Sequence, residues 1–398
     1  MKHQVSKLVQ NVRPSVIREM SLRAEGLDNV ISLGIGEPDF DTEHSICNGA
    51  FRDVLCGATH YTPSQGDTEL LQALCDTVNK QHGLDITIRN VVVTLGGMGA
   101  LTAYFRTMLD PGDVVLIPEP YFGSYRPHVE WANGRVREVP TNFEDGFIVR
   151  PEAIEEAITS ESKVLLLNSP NNPTGAVIPG KTLDAIAEVV KRRDLLVVSD
   201  EVYDRLVFDG ARHESIVTRP GMRERTVVIN SFSKSFAMTG WRIGYAYGPE
   251  WLIEPMTKVV SHCTSCTPSV SQRAALAALR MDEGSVRKMA AEFEARRDLL
   301  YEGVRRLPGV RVNKPSGAFY MFVDVSRITD DPYRFALDLL EEERVVVVPG
   351  FCFGPSGKEC IRLAYTVNGD MIAEALERME RFIRKRMEAP GAVAAARN

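Results

Sequence analysis

Lys234 lies in the run Ser231–Gly244, "SFSKSFAMTGWRIG", between the hydroxyls of Ser231 and Ser233 and eight residues before the guanidinium of Arg242. A phosphate is a ligand that hydroxyls and an arginine fork hold well together, and an amine beside it is free to react at a carbonyl carbon. Most single lysines only carry surface charge; the neighbours of this one argue for reaction. "VVSDEVYDRL" puts Asp200 at the end of an apolar run, with Tyr203 three residues on. A carboxylate there needs a partner or is costly to desolvate, although a helix N-cap is a common task for Asp in that place.

Three further stretches can bind. In "TLGGMGAL", Thr94–Leu101, a strand pattern meets glycines and then a helix pattern. The N–H groups of Gly97, Met98 and Gly99 at a helix N-terminus suit a phosphate, and a structural turn accounts for the glycines as well. The dinucleotide fingerprint is broken, because Thr102 stands where a third glycine belongs. "NSPNNPTG", Asn168–Gly175, reads as a turn after a buried strand, and Asn172 is more than that turn requires. In "CIRLAYT", Arg362 sits inside an apolar strand-like run. A two-pronged hold on a carboxylate explains such an arginine; an edge strand with the arginine reaching solvent is the alternative.

The elements that must position these residues alternate. Strand patterns at Val91–Leu95, Val114–Pro120, Val164–Leu167, Leu195–Glu201 and Thr226–Asn230 are nearly continuous in Val, Leu and Ile, and helix patterns lie between them, at Gly99–Leu109 and Leu183–Arg193. Continuous apolar strands belong to a parallel sheet covered on both faces, so the fold class is α/β. The candidate loops fall at the carboxyl ends of the strands, where open α/β sheets bind ligands. From about Val286 the texture changes to a long charged helix, a strand region "GVRVNKPSGAFYMFVDV", a helix "DPYRFALDLLEEE", a strand "RVVVVPG" and a last helix from Asp370 to Arg386. The expected division is a large domain over residues 46–285, a smaller α+β domain from residues 1–45 and 286–386, and a frayed tail over 387–398.

The chain has 398 residues with 47 basic and 53 acidic side chains, a net charge of −6. That balance argues against a nucleic-acid partner. Seven scattered cysteines, with one CxxC at Cys263 and Cys266 and no second pair near it, fit reduced thiols in a cytoplasmic protein and no metal site. The N-terminus lacks an apolar signal core and no run is long enough to span a membrane.

Taken in order, "GEPDF", "YTPSQG", "GGMGAL", "PYFGSY", "NNPTG", "SDEVY", "SFSKSFAMTGWRIG", "KPSGAFY" and "IRLAYT" resemble the class I/II aminotransferases of fold type I, which use pyridoxal 5′-phosphate. The resemblance covers nearly the whole chain. It implies that Lys234 forms the Schiff base with the cofactor aldehyde, that Asp200 pairs with the ring nitrogen, and that Asn172 and Tyr203 bond the ring's phenolic oxygen. It implies that Phe122 stacks on the ring and that Gly97, Met98, Ser231 and Arg242 hold the phosphate, helped by Tyr61 from the second subunit of a homodimer. It implies that Arg362 and the backbone at Gly36 receive the substrate's α-carboxylate, with Asn172 also on the substrate side. The substrates implied are an amino acid and a 2-oxo acid.

An aspartate-directed branch of that family carries lysine where this chain has Met98, and another places an arginine in the stretch here running from Lys258 to Gln272, which has no arginine. A neutral, aromatic or broad range of donors is therefore expected over strict aspartate use, with 2-oxoglutarate or pyruvate as acceptor. The rivals are a C–S β-lyase or an aspartate aminotransferase on the same fold, a nicotinamide dehydrogenase, and a cofactor-binding protein without turnover.

Overall fold

A computed structural model describes residues 5–10 and 14–388 of the chain. Among the described residues thirteen strands form three sheets. The largest has seven strands in the order β2-β8-β7-β6-β5-β3-β4. These are β2 (Val91–Thr94), β3 (Val114–Pro118), β4 (Arg135–Val139), β5 (Ser162–Asn168), β6 (Leu196–Asp200), β7 (Thr226–Ser231) and β8 (Gly244–Tyr247). Neighbours from β4 to β7 pair in parallel, and β8 runs against both β7 and β2.

Alternate residues of these strands feed two apolar layers. Val92, Val115, Ile117, Leu166, Val198 and Ile229 pack on one side with the helices Gly96–Met108 and Glu250–Thr264. On the other side Val91, Val93 and Val228 pack with the helices Thr68–His82 and Ser269–Arg280, while Leu116, Leu165 and Val197 pack with Gly180–Arg192. Both faces are dry, which is why the strands read as unbroken hydrophobic runs. Two strands escaped the sequence reading. β4 is an edge strand that alternates exposed and half-buried residues up to buried Val139, in place of an apolar run. β8 is four residues long, begins on the last glycine of the "GWRIG" motif and has only Gly244 and Ala246 beside its two tyrosines.

The remaining strands are β1 (Ile31–Ser32), β9 (Arg311–Val312), β10 (Tyr320–Asp324), β11 (Val345–Val346), β12 (Val348–Pro349) and β13 (Cys360–Ala364). The expected single strand "RVVVVPG" is two short ones in different sheets: β11 pairs in parallel with β1, and β12 pairs with β13. β13 lies between β12 and β10, so Arg362 is on an interior strand and not at an edge. One core joins Met20, Ile31 and Leu33 from the amino end to Phe293, Phe319, Phe335, Ile361 and Phe382 from the carboxyl end, and takes in Tyr203, Leu206 and Phe208 beyond β6. Among the described residues before β1, the helical ones are Lys7–Gln10 and Val16–Ala24. The last helix runs Gly369–Glu388, so Met387 belongs to it; the rest of the expected tail, 389–398, lies outside the described residues. Among the described residues no helix is long and apolar enough to cross a membrane.

Candidate active site

Register brings three of the motif loops to one edge of the sheet. Thr94 of β2 faces Gly244 of β8, and Gly244 faces Ser231 of β7. The helix after β2 starts at Gly96, three residues earlier than the sequence pattern gives, and Leu95 supplies no side-chain cap. Gly99 N–H consequently bonds Leu95 O at 3.3 Å within the first turn, which corrects its expected place among the phosphate donors. The N–H groups of Gly97 and Met98 stand in that uncapped first turn. Gly96 has φ +67°, and a Cβ there would stand 2.8 Å from Arg242 Nη2. The guanidinium thus lies against the helix N-terminus, two positive features side by side, an arrangement that favours an anion. Ser231 caps the short helix Phe232–Ser235, and its hydroxyl is 2.9 Å from that of Ser233.

Lys234, on that short helix, donates from Nζ to Gly36 O at 2.6 Å. Loss of water pulls the amine down to about 8; the Glu37 carboxylate opposes this, while Arg242 and Arg362 add to it. A lysine with that value is partly a free amine at neutral pH. Asp200, at the end of β6, is buried, and burial pushes its carboxyl up to about 6, with a hydrogen bond from Tyr125 working the other way. Tyr125 Oη donates to Asp200 Oδ2 at 2.6 Å. The helix N-cap that the sequence also allowed for Asp200 is absent, because a turn and no helix follows β6; Val202 N–H reaches Oδ1 at 3.3 Å within that turn. Phe122 meets Tyr125 edge to face with centroids 5.6 Å apart.

Arg362 is 1% exposed and lies between two rings, with Cζ 4.5 Å from the Tyr320 centroid and 4.8 Å from that of Phe353. It donates to Asn172 Oδ1 at 2.9 Å and to Gly34 O at 2.5 Å; Nε is buried without a partner. Arg297 is as deeply buried, but it has Asp209 at 3.0 Å and Asp298 at 2.8 Å. No carboxylate pairs with Arg362 among the described residues. An interior guanidinium with a free donor and no counter-ion has the chemistry of a receptor for an anion. Tyr320 links this group to the others. Its hydroxyl is 2.9 Å from that of Tyr203, and a Cβ at Gly36 would fall 1.8 Å from it.

Gly36, Asn172, Tyr203, Arg362 and Lys234 are therefore joined through direct contacts, Asp200 and Phe122 meet through Tyr125, and Gly97, Met98, Ser231 and Arg242 share the helix N-terminal edge. Tyr61 is not among them; it is 90% exposed. Tyr125 and Tyr320 were missed as site residues. Each ends a motif, "PYFGSY" or "KPSGAFY", but nothing in spacing says which tyrosine of a motif turns inward. The residues fit the expected cofactor. A buried carboxylate without a cation, an enclosed amine and an uncapped helix end beside an arginine match a ring nitrogen, an aldehyde and a phosphate.

A mostly parallel sheet with helices on both faces and the clustered motif loops at its carboxyl edge place the chain among the fold type I α/β transferases. The sequence matches the family "Aminotransferase class I and II" over residues 28–379. It is 39% identical to aromatic-amino-acid aminotransferase 2 of Thermococcus litoralis, over 96% of this chain and 99% of that one. It is 41% identical to the aspartate/prephenate aminotransferase of Thermus thermophilus, over 95% and 98%. The solved aspartate aminotransferase of Thermus thermophilus with maleate superposes with a TM-score of 0.91 at 40% identity, over 96% of this chain and all of that one. The chain belongs to the class I and II aminotransferases. It is a pyridoxal-phosphate-dependent enzyme that transfers an amino group between an amino acid and a 2-oxo acid.

Proposed function

We propose that Lys234 is the residue that holds pyridoxal phosphate at its aldehyde carbon and serves as the proton carrier of the transfer. The contact that carries this reading is Lys234 Nζ on Gly36 O, which sets the amine in the same cluster as Arg362. Asp200 would hold the ring nitrogen, Asn172 and Tyr203 the phenolic oxygen, and Phe122 a ring face. Gly97, Met98, Ser231 and Arg242 would hold the phosphate. When bound, the cofactor supplies an electron-withdrawing ring that stabilises negative charge at the substrate Cα. Arg362 receives the α-carboxylate on its free Nε edge and, fixed between two rings, sets the direction in which the Cα–H bond points. Lys234, freed once the substrate's amine has taken its place at the aldehyde carbon, would be an amine with a pKa brought down to about 8, able to take the Cα proton and to return one to the former aldehyde carbon. Borohydride reduction of the holoenzyme followed by peptide mapping tests this: the pyridoxyl label belongs on Lys234, and a label elsewhere overturns the reading.

The donors we infer are a neutral, aromatic or broad range of amino acids, with 2-oxoglutarate or pyruvate as acceptor. Ile35 lies between the two carbonyls that bind Arg362 and Lys234 and is 43% exposed, and Met98 is 36% exposed, so the mouth offers apolar surface in place of a second cation. The 39% identical relative named for aromatic amino acids supports this. Aspartate is the second reading, supported by relatives named aspartate aminotransferase at 36% and 39% identity. A donor panel decides: kcat/KM for aspartate above that for phenylalanine and tyrosine by orders of magnitude would reverse the preference.

We further propose the division into residues 46–285 and residues 1–45 with 286–386, on the ground that β1 pairs with β11 while residues 91–247 supply the large sheet. A homodimer in which Tyr61 completes the second subunit's phosphate site fits its exposure in a single chain.

A further inference from the structure

A second polar cluster lies behind Asp200, on the opposite face of its strand. Ser199 and Glu201, two residues apart, share that face, and Glu201 N–H continues the ladder to Ile229 O at 2.9 Å. Glu201 is 2% exposed. Its Oε1 accepts from Ser199 Oγ at 2.7 Å and Ser215 Oγ at 2.6 Å, and its Oε2 meets His213 Nε2 at 2.8 Å. The His213 side chain is 3% exposed, and its Nδ1 is buried without a partner. Among the described residues the side-chain hydrogen bonds of Glu201 and His213 stay within this cluster.

A carboxylate buried so deeply needs a cation. Burial pushes the Glu201 carboxyl up, but the charge and hydrogen bond of His213 and the two serine hydroxyls outweigh it and hold it below the usual range. Burial pushes His213 down, but Glu201 outweighs it and holds the imidazole above its usual value. The two directions agree on an ion pair. The other groups facing the pair leave its balance unchanged in kind. Asp204 and Glu214 favour the protonated imidazole. His82, at the end of Thr68–His82, is held low by burial and stays neutral, and the phenols of Tyr245 and Tyr247 on β8 are pushed up and stay protonated. Arg205 lies beside Asp204 and Tyr245.

The consequence reaches Asp200. Its carboxyl is pushed up first by burial, and the Glu201 charge adds to this. An uncompensated Glu201 would oppose ionisation of Asp200 more strongly. We propose that His213 is a positioning residue of the cofactor site: as an imidazolium it neutralises Glu201 across the strand end and so leaves Asp200 free to stand ionised opposite the cofactor's ring nitrogen. This rests on the assignment of Asp200 made above.

A charge-balance cycle tests it with H213Q, E201Q and the double variant. Pyridoxal phosphate affinity is measured by equilibrium dialysis, and the acidic limb of kcat/KM is recorded for each loaded enzyme. H213Q is expected to bind the cofactor about tenfold more weakly near neutral pH and to move the acidic limb up by about one unit, the equivalent of one pKa unit at Asp200. The double variant, lacking both charges, is expected to recover both properties to within about threefold. An unmoved limb and affinity in H213Q, or a double variant no better than H213Q, overturns the proposal, because a packing role makes two substitutions worse than one. Should H213Q fail to fold, nitrogen NMR of His213 in the cofactor-free wild type decides: protons on both ring nitrogens at neutral pH are expected, and a neutral ring overturns it. Asp200→Ala binding the cofactor as tightly as wild type would instead sink the assignment of Asp200, whatever the charge on His213.

Discussion

Arg362 Nη1 donates to Asn172 Oδ1 at 2.9 Å, a bond between an interior strand of the four-stranded sheet and the loop that leaves β5 of the large one. The same guanidinium lies between the rings of Tyr320 and Phe353 and keeps its Nε unused. Two ties and two rings fix its plane before any substrate arrives, which lowers the ordering cost of binding a carboxylate.

Arg362→Lys keeps the charge and loses the planar fork. A fall in kcat/KM of about 10- to 100-fold is expected, the worth of one charge-assisted hydrogen bond of about 1.5–3 kcal/mol. Amines without an α-carboxylate should show little change, and steady-state rates on both substrate types check this.

Tyr125→Phe removes the donor to Asp200 and leaves the ring in place. The hydroxyl opposes the upward push of burial on Asp200, so its loss raises that carboxyl further. The acidic limb of kcat/KM should move to higher pH and cofactor affinity should fall by about tenfold or more.

Cofactor-free enzyme should gain heat stability from Asp200→Asn above about pH 6 and not below about pH 4. The sign follows from a folded pKa raised from 3.8 to about 6. Burial costs nothing while the carboxyl is protonated in both states; it costs most once both are ionised, at most about 3 kcal/mol. The melting temperatures of both proteins across that range measure it. With cofactor bound, the same substitution should destabilise.

Gly36→Ala puts a methyl group 1.8 Å from the Tyr320 hydroxyl. Tyr320 must then move, and its contact with Tyr203 and its stacking on Arg362 go with it. A stability loss of about 1–3 kcal/mol is expected, with a larger fall in kcat/KM than any change in cofactor affinity.

Hybrids formed by mixing Lys234→Ala and Tyr61→Ala chains should regain activity that neither homo-oligomer has, because one site in each hybrid would join an intact Lys234 to an intact Tyr61. No recovery after verified subunit exchange would place Tyr61 outside the neighbouring site.

The strands of the large sheet and the loops at their carboxyl ends were legible because a doubly covered parallel sheet demands unbroken apolar runs, and β2, β3, β5, β6 and β7 have them. β4 and β8 lack that signature, one as a half-exposed edge and the other as four residues rich in tyrosine. "RVVVVPG" looked like one strand because apolarity alone does not reveal that β11 and β12 take different partners.

The order of local motifs determined which residue types were available: an amine among hydroxyls, a carboxylate ending an apolar strand, an arginine inside one. Only the packed chain decided which contacts they make, because pairings such as Lys234 with Gly36 and Arg362 with Asn172 span 198 and 190 residues. Sequence spacing carries no information about meetings at that range; strand order and register do. They turned Tyr125 and Tyr320 inward and left Arg362 in the interior with a donor to spare.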